Sequence, residues 1–245
     1  MDSRDDTASP ARHIVAIGGA GFSTQPDNLL LERFILSLAR TSPPRVCFVP
    51  TASGDSEGYV MRFYRAFGQL DCRPADLPLF ERTVDDMEEF VLEQDVVYVG
   101  GGSTANLLAV WRTHGLDRVL ERAWREGVVL SGVSAGMNCW FSASVTDSFS
   151  SSHLSALHDG VGLIPASSCP HYDSEEHRRP TYRRLVQSGE LPPGWAAEDG
   201  VALVFEGTEL REVVCSRPDA AGYRVQPGPA GDVEEVALPG RFLDG

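Results

Sequence analysis

Paired cysteines, metal-knuckle spacings, long apolar runs and basic clusters are all missing from this 245-residue sequence. Its five cysteines (Cys47, Cys72, Cys139, Cys169 and Cys215) are odd in number, dispersed and without C-x-x-C spacing. Such a set reads as reduced core thiols and not as a disulfide framework or a zinc site. No stretch approaches the roughly 18 continuous apolar residues of a membrane span. Residues 1–10, Met1 to Pro10, lack the apolar core of a secretory signal and read as a polar, disordered leader. A cytoplasmic location is the resulting expectation. No Lys/Arg run occurs and the net charge is −14, which argues against nucleic acid or an anionic membrane as partner.

What is present is the material of an ordinary globular protein. A hydrophobic fraction of 42% and a charged fraction of 23% suffice for a sizeable core, and the length suits a single domain over 11–245. His13–Ile17, Arg45–Val49, Ala75–Leu79 and Asp95–Val99 read as buried strands, and Gly127–Leu130 leads into a fifth. Leu29–Arg40, Gly58–Leu70, Val84–Glu93, Ala105–Trp111 and Leu116–Arg125 carry helical apolar spacing between them. This alternation predicts an α/β fold with a doubly wound, mostly parallel sheet. Gly18-Gly19-Ala20-Gly21 departs from G-x-G-x-x-G and reads as a tight turn, so no dinucleotide cofactor is implied. Ser142–Ser152 reads as a polar loop, and Glu175–Gln187 as a charged helix. Segments at Val201–Phe205, Glu212–Cys215, Tyr223–Val225 and Glu235–Leu238 read as a C-terminal antiparallel extension, whose apolar strands are candidates for pairing in a homodimer.

Functional residues of such sheets gather at the carboxyl ends of the strands. There the run Val128–Leu130 ends in Gly132-Val133-Ser134-Ala135-Gly136, a G-x-S-x-G pattern followed by a helix-compatible segment. A nucleophile elbow needs this arrangement: small neighbours allow a turn so sharp that the serine hydroxyl stands clear of the sheet. A serine hydroxyl also needs a general base. Of six histidines, His171 stands apart, since Pro170 stiffens the backbone before it. An oxyanion hole needs unobstructed backbone N–H groups; Gly100-Gly101-Gly102 after a strand and Ala135 after the serine are the candidates. Two acids could orient the base: Asp199, before a late strand, and Asp147, in the loop after the elbow.

Taken together, Val99–Thr104, Gly132–Gly136, Thr146-Asp147-Ser148 and Cys169-Pro170-His171-Tyr172 resemble the peptidase E (aspartyl dipeptidase) family of serine peptidases, to which cyanophycinase is related. The similarity runs from about Ile14 to about Phe205. The resemblance implies a fold like that of the class I glutamine amidotransferases, which is flavodoxin-like, and hydrolysis of short peptides, in the type members dipeptides with N-terminal aspartate. It implies Ser134 as nucleophile and His171 as base, with an oxyanion hole from the Gly100–Gly102 turn and Ala135. The family's acid lies in a Glu-Gly element, which falls on Asp199-Gly200; Asp for Glu shortens the reach by one methylene, so Asp147, also matched by a family aspartate, remains open. The family's substrate-binding arginine falls near Arg178 or Arg179, where Pro180 and Tyr182 break the pattern.

Two other functions compete. An α/β-hydrolase esterase shares the elbow, but its histidine normally lies near the chain end, whereas 74 residues follow His171 here. A non-catalytic binding protein that keeps the pocket would account for the altered acid and the loose arginine match.

Overall fold

The computed structural model describes residues 10–150 and 152–244; the expected leader therefore lies, except for Pro10, outside the described residues. The first half of the chain alternates strands with helices: β1 (His13–Ile17), α1 (Leu30–Ser37), β2 (Arg45–Val49), α2 (Glu57–Phe67), β3 (Arg73–Asp76), α3 (Met87–Leu92), β4 (Val96–Val99), α4 (Thr104–His114), α5 (Leu116–Arg125) and β5 (Val129–Val133). The second half has the short α6 (Ala135–Asn138), then β6 (Phe141–Thr146), β7 (Ser155–Leu157), β8 (Ile164–Cys169), α7 (Arg178–Gln187) and β9 (Gly194–Ala197). It ends in β10 (Val201–Glu206), β11 (Glu209–Cys215), β12 (Ala221–Pro227), β13 (Val233–Pro239) and β14 (Arg241–Phe242).

These elements form a mixed α/β fold built on two sheets. The first has the order β14-β11-β10-β1-β5-β4-β2-β3, and the five strands from β1 to β3 in that order are mutually parallel. Parallel strands covered on both faces need continuous apolar sequence, and β1, β4 and β5 supply it. Alternation along β1 sends Ile14 and Ala16 to one core, with Leu107, Trp111, Leu120 and Trp124 of α4 and α5. Val15 and Ile17 face the opposite core, with Leu31 and Ile35 of α1 and Phe63 and Phe67 of α2. Phe22, Phe48, Tyr59, Phe63, Phe67 and Tyr98 pack there edge to face, tilted or stacked, with centroids 4.5 to 6.4 Å apart. The aromatic stripe of α2 is thus chiefly core.

The second sheet, β13-β12-β9-β8-β6-β7, departs from expectation in two ways. Ser142–Thr146, read as part of a serine-rich loop, lies in β6, with Ser144 and Thr146 buried. Small polar residues here fill a strand between β7 and β8. The late strands do not form one antiparallel extension. β10, β11 and β14 complete the first sheet, β14 running parallel to β11, while β9, β12 and β13 belong to the second. These partners are set by distant segments, which local pattern does not encode. All five cysteines are free. Among the described residues no helix is long and apolar enough to cross a membrane.

Candidate active site

Ser134 follows β5 directly, with φ 58° and ψ −109°. A non-glycine residue in this region is strained and is held there only by its surroundings. The Ser134 N–H donates to the Ile17 carbonyl at 3.0 Å, and the Ser134 carbonyl accepts from Met137 N–H at 2.9 Å. The flanking glycines let backbone press on backbone. A Cβ on Gly132 would lie 2.4 Å from the Gly136 carbonyl oxygen, and one on Gly136 would lie 2.3 Å from that of Val99. The helix after the elbow is one turn, Ala135–Asn138, because β6 begins three residues later. Any helix-dipole effect on Ser134 is accordingly that of a single turn.

His171 stands just beyond β8, also at positive φ (55°), and its N–H donates to the Gly18 carbonyl at 3.2 Å. Its Nδ1 lies 2.8 Å from Oδ1 of Asp199, in the connection between β9 and β10. Burial raises the Asp199 pKa, but the hydrogen bond and charge of His171, with Ser174 and Arg217, outweigh it and hold the carboxyl below its ordinary value. An ionised carboxylate accepts only, so Nδ1 carries the proton and Nε2 is left as the acceptor. Asp199 is positioned in turn: its N–H donates to Asp173 Oδ1 at 2.9 Å, and Arg217 donates to Asp173 Oδ2 at 2.6 Å.

The shorter acid is accommodated by Gly19. This residue bridges to Asp199 as an extra rung of the sheet and accepts the Gly200 N–H at 2.9 Å. A Cβ on Gly19 would lie 1.8 Å from Asp199 Oδ1 and 2.5 Å from His171 Nδ1. The glycine turn after β1 is therefore the floor under the imidazole–carboxylate pair.

Ser134 and His171 line one pocket of about 280 Å³, together with Gly101, Val133, Tyr59 and Arg62 and the loop residues Ala20, Ser23 and Thr24. Gly101 faces the serine: a Cβ there would sit 3.4 Å from Ser134 Cβ and 3.8 Å from Oγ. Its N–H donates to the Tyr59 hydroxyl at 3.2 Å. Ala135 opens α6, where an N–H has no partner within the helix. The expectation for Gly100 needs correction, because its N–H is engaged by the Val49 carbonyl at 3.1 Å, as an extension of the sheet ladder. Gly102 shapes the turn: at φ 141° it passes so close to Ala52 that a Cβ would lie 2.1 Å from the carbonyl oxygen.

Three further residues lie away from this pocket. Asp147, the alternative acid, is 56% exposed, sits 3.6 Å from Arg178 and borders a separate cavity of about 650 Å³. Of the two acids, Asp199 is the one in hydrogen-bond contact with His171. Arg178, only 3% exposed, is engaged by Glu175 at 2.6 Å and the Val145 carbonyl at 3.2 Å. Arg179 is paired with Glu235 and stacked on Tyr172 and Tyr223. Neither arginine lines the pocket of Ser134, which corrects the expectation drawn from the family pattern; their charges are taken up in holding α7. Sequence reading missed Gly19, Tyr59, Arg62, Asp173 and Arg217. Only the glycine turn left a visible signal, since the others are joined to the site by folding alone. Among the described residues no group of three or more His, Cys, Asp or Glu is placed to hold a metal ion.

Comparison with known proteins identifies the family. Peptidase family S51 matches residues 14–213. The uncharacterized peptidase YgaJ of Bacillus subtilis (strain 168) is 47% identical over 232 residues, covering 95% of this chain and 99% of that protein. Peptidase E of Streptomyces coelicolor is 28% identical over 215 residues, covering 82% and 84%. In fold, a peptidase from an acI-B1 Actinobacterium superposes with a TM-score of 0.70 at 20% identity, over 94% of this chain and 96% of that one.

Proposed function

The chain belongs to peptidase family S51, and from that premise we propose that it hydrolyses short peptides, dipeptides foremost, through an acyl-enzyme on Ser134. We place its first sheet with those of the class I glutamine amidotransferases, on the parallel order β3-β2-β4-β5-β1 and the serine after β5.

The observation that carries the reading is the 2.8 Å contact of His171 Nδ1 with Asp199, beside the pocket that Ser134 enters from its strained turn. Ser134 Oγ attacks the scissile carbonyl while His171 Nε2 takes its proton and passes it to the leaving amine. Asp199 fixes the imidazole tautomer and stabilises the imidazolium that forms. The Ala135 N–H, which has no partner within α6, meets the charge that develops on the carbonyl oxygen. Water then attacks the acyl carbonyl as His171 takes its proton, and the imidazolium returns that proton to Ser134 Oγ as the C–O bond breaks and the acid is released. A pocket of about 280 Å³ lies at or below the low end of the range for small-molecule sites, which favours a dipeptide over an extended chain. In sequence the acid follows the histidine, the reverse of the α/β-hydrolase order, and this disfavours the esterase reading.

Ser134→Ala tests the proposal. Turnover of dipeptides should fall to background while the melting temperature stays within about 2 °C of wild type, since only one pocket-lining hydroxyl is lost from a site that stays packed. A fluorophosphonate should label the wild-type serine and not the variant. Full activity in the variant would refute the mechanism.

A further inference from the structure

We propose that Tyr59 is a catalytic residue, its hydroxyl donating a hydrogen bond to the oxyanion that forms when Ser134 attacks. The inference rests on the peptidase reading and deepens it, because it assigns a donor at the reacting centre to α2, a helix whose other aromatic residues serve the core.

An oxyanion hole works through donors fixed in place before the charge appears, and the Ala135 N–H alone leaves the oxygen with one partner. The glycine turn after β4 does not supply the second. The Gly100 N–H is spent on the Val49 carbonyl, and the Gly101 N–H on the Tyr59 hydroxyl. Gly102 packs against Ala52 and does not line the Ser134 pocket. Tyr59 does line it.

A phenol oxygen that accepts the Gly101 N–H still has its own proton to give. Ser23, in the loop between β1 and α1, acts on the same oxygen as a donor and lowers its pKa. Among the described residues no oxygen accepts the Tyr59 proton, so that proton is left for the pocket. It is also retained there. Burial pushes the Tyr59 pKa above its ordinary value, more than Gly101 and Ser23 pull it down. Phe48 at 5.0 Å and Phe22 at 5.6 Å hold the ring, so the hydroxyl is oriented before substrate arrives. Gly101 keeps the approach open, since a Cβ there would stand 3.4 Å from that of Ser134. Tyr59 transfers no proton in this scheme; the serine proton still goes to His171.

Tyr59→Phe removes the donor and keeps the ring packed between Phe22 and Phe48, so the fold is retained. The substrate is whichever of Asp-Leu and Ala-Leu the wild type hydrolyses faster. Its kcat should fall roughly 10²- to 10³-fold while KM stays within about threefold. The pH profile of kcat/KM should keep its shape, because the His171–Asp199 pair is untouched. Labelling of Ser134 by a fluorophosphonate, whose phosphoryl oxygen gathers charge at the same point, should slow by a similar factor. Tyr64→Phe, on the same helix but with its hydroxyl on Asp76 and outside the pocket, should match wild type throughout. A loss below about fivefold in kcat and labelling, a rise in KM with kcat unchanged, a displaced pH profile, or an equal loss in Tyr64→Phe would overturn the proposal. Failure of the peptidase reading shows in the wild type instead, as no turnover and no label on Ser134, and the proposal falls with it.

Discussion

At the scale of single residues, the site depends on which carboxylate meets His171. Asp199 is held below its ordinary pKa by the hydrogen bond and charge of His171, which outweigh its burial, so it is ionised at neutral pH. The linkage follows the usual sign for a depressed acid: its contribution to stability is present above the unfolded pKa and is lost as pH falls through the lower folded value. Asp199→Asn keeps the shape but can donate to Nδ1, forcing the proton onto Nε2, where the serine proton must go. A drop in kcat of about 10³- to 10⁴-fold is expected, undiminished across the neutral and alkaline range. Asp147→Asn should leave kcat within about twofold, because its contact is with Arg178. Steady-state kinetics on both variants decide the matter, and a large loss in Asp147→Asn would reverse the assignment. Ser134 and Ala135 could be picked out from the glycines of the elbow, and His171 only from the Pro170 before it and the family resemblance. The choice between two aspartates could not, because it turns on Gly19, remote from Asp199 in the sequence yet bridged to it directly beneath its carboxylate.

At the scale of elements, the loop between β1 and α1 forms one wall of the pocket and is pinned from behind by a buried acid. Glu32 on α1 is fully buried; its Oε1 accepts the Phe22 N–H at 2.8 Å, and its Oε2 has no partner among the described residues. Burial raises its pKa from 4.5 to about 7, more than its backbone hydrogen bonds lower it. Between those values the folded protein keeps a proton that the unfolded chain has released, so stability falls as pH rises through the window and the full penalty stands above it. Glu32→Gln preserves the acceptor and removes the titration. Relative to wild type the variant should gain as pH rises from about 4 to 8, by up to about 3 kcal/mol. Denaturant melts of both proteins at the two pH values measure it; parallel stability curves would show that Glu32 does not titrate in the fold. The helices that carry such residues were readable from apolar spacing: α5 was placed end to end at Leu116–Arg125. β6 was not, because Ser142, Ser144 and Thr146 carry no apolar alternation and are recruited by pairing with β8.

At the scale of the molecule, the proposed triad is divided between the two sheets. Ser134 ends a strand of the first, His171 follows a strand of the second, and Asp199 lies in the link from β9 in one to β10 in the other. The sequence showed the parallel half of this plan because each βαβ unit is local, whereas the second sheet joins segments nearly a hundred residues apart, β6 to β13. What keeps the halves in register is a shared core in which Phe205 of β10 meets Phe141 of β6 at 5.8 Å and Trp195 of β9 at 6.0 Å, both edge to face. Phe205→Ala leaves a ring-sized cavity at that seam and should cost about 3–5 kcal/mol, lowering the melting temperature by on the order of 10 °C for a chain of this length. None of the three rings lines the Ser134 pocket, so kcat at 25 °C should remain within about threefold of wild type while the variant stays folded. If the sheets are one cooperative unit, near-ultraviolet circular dichroism and activity will be lost together in a single transition on heating. Two separated transitions, with activity vanishing at the first, would instead mean that the second sheet unfolds alone and takes His171 with it.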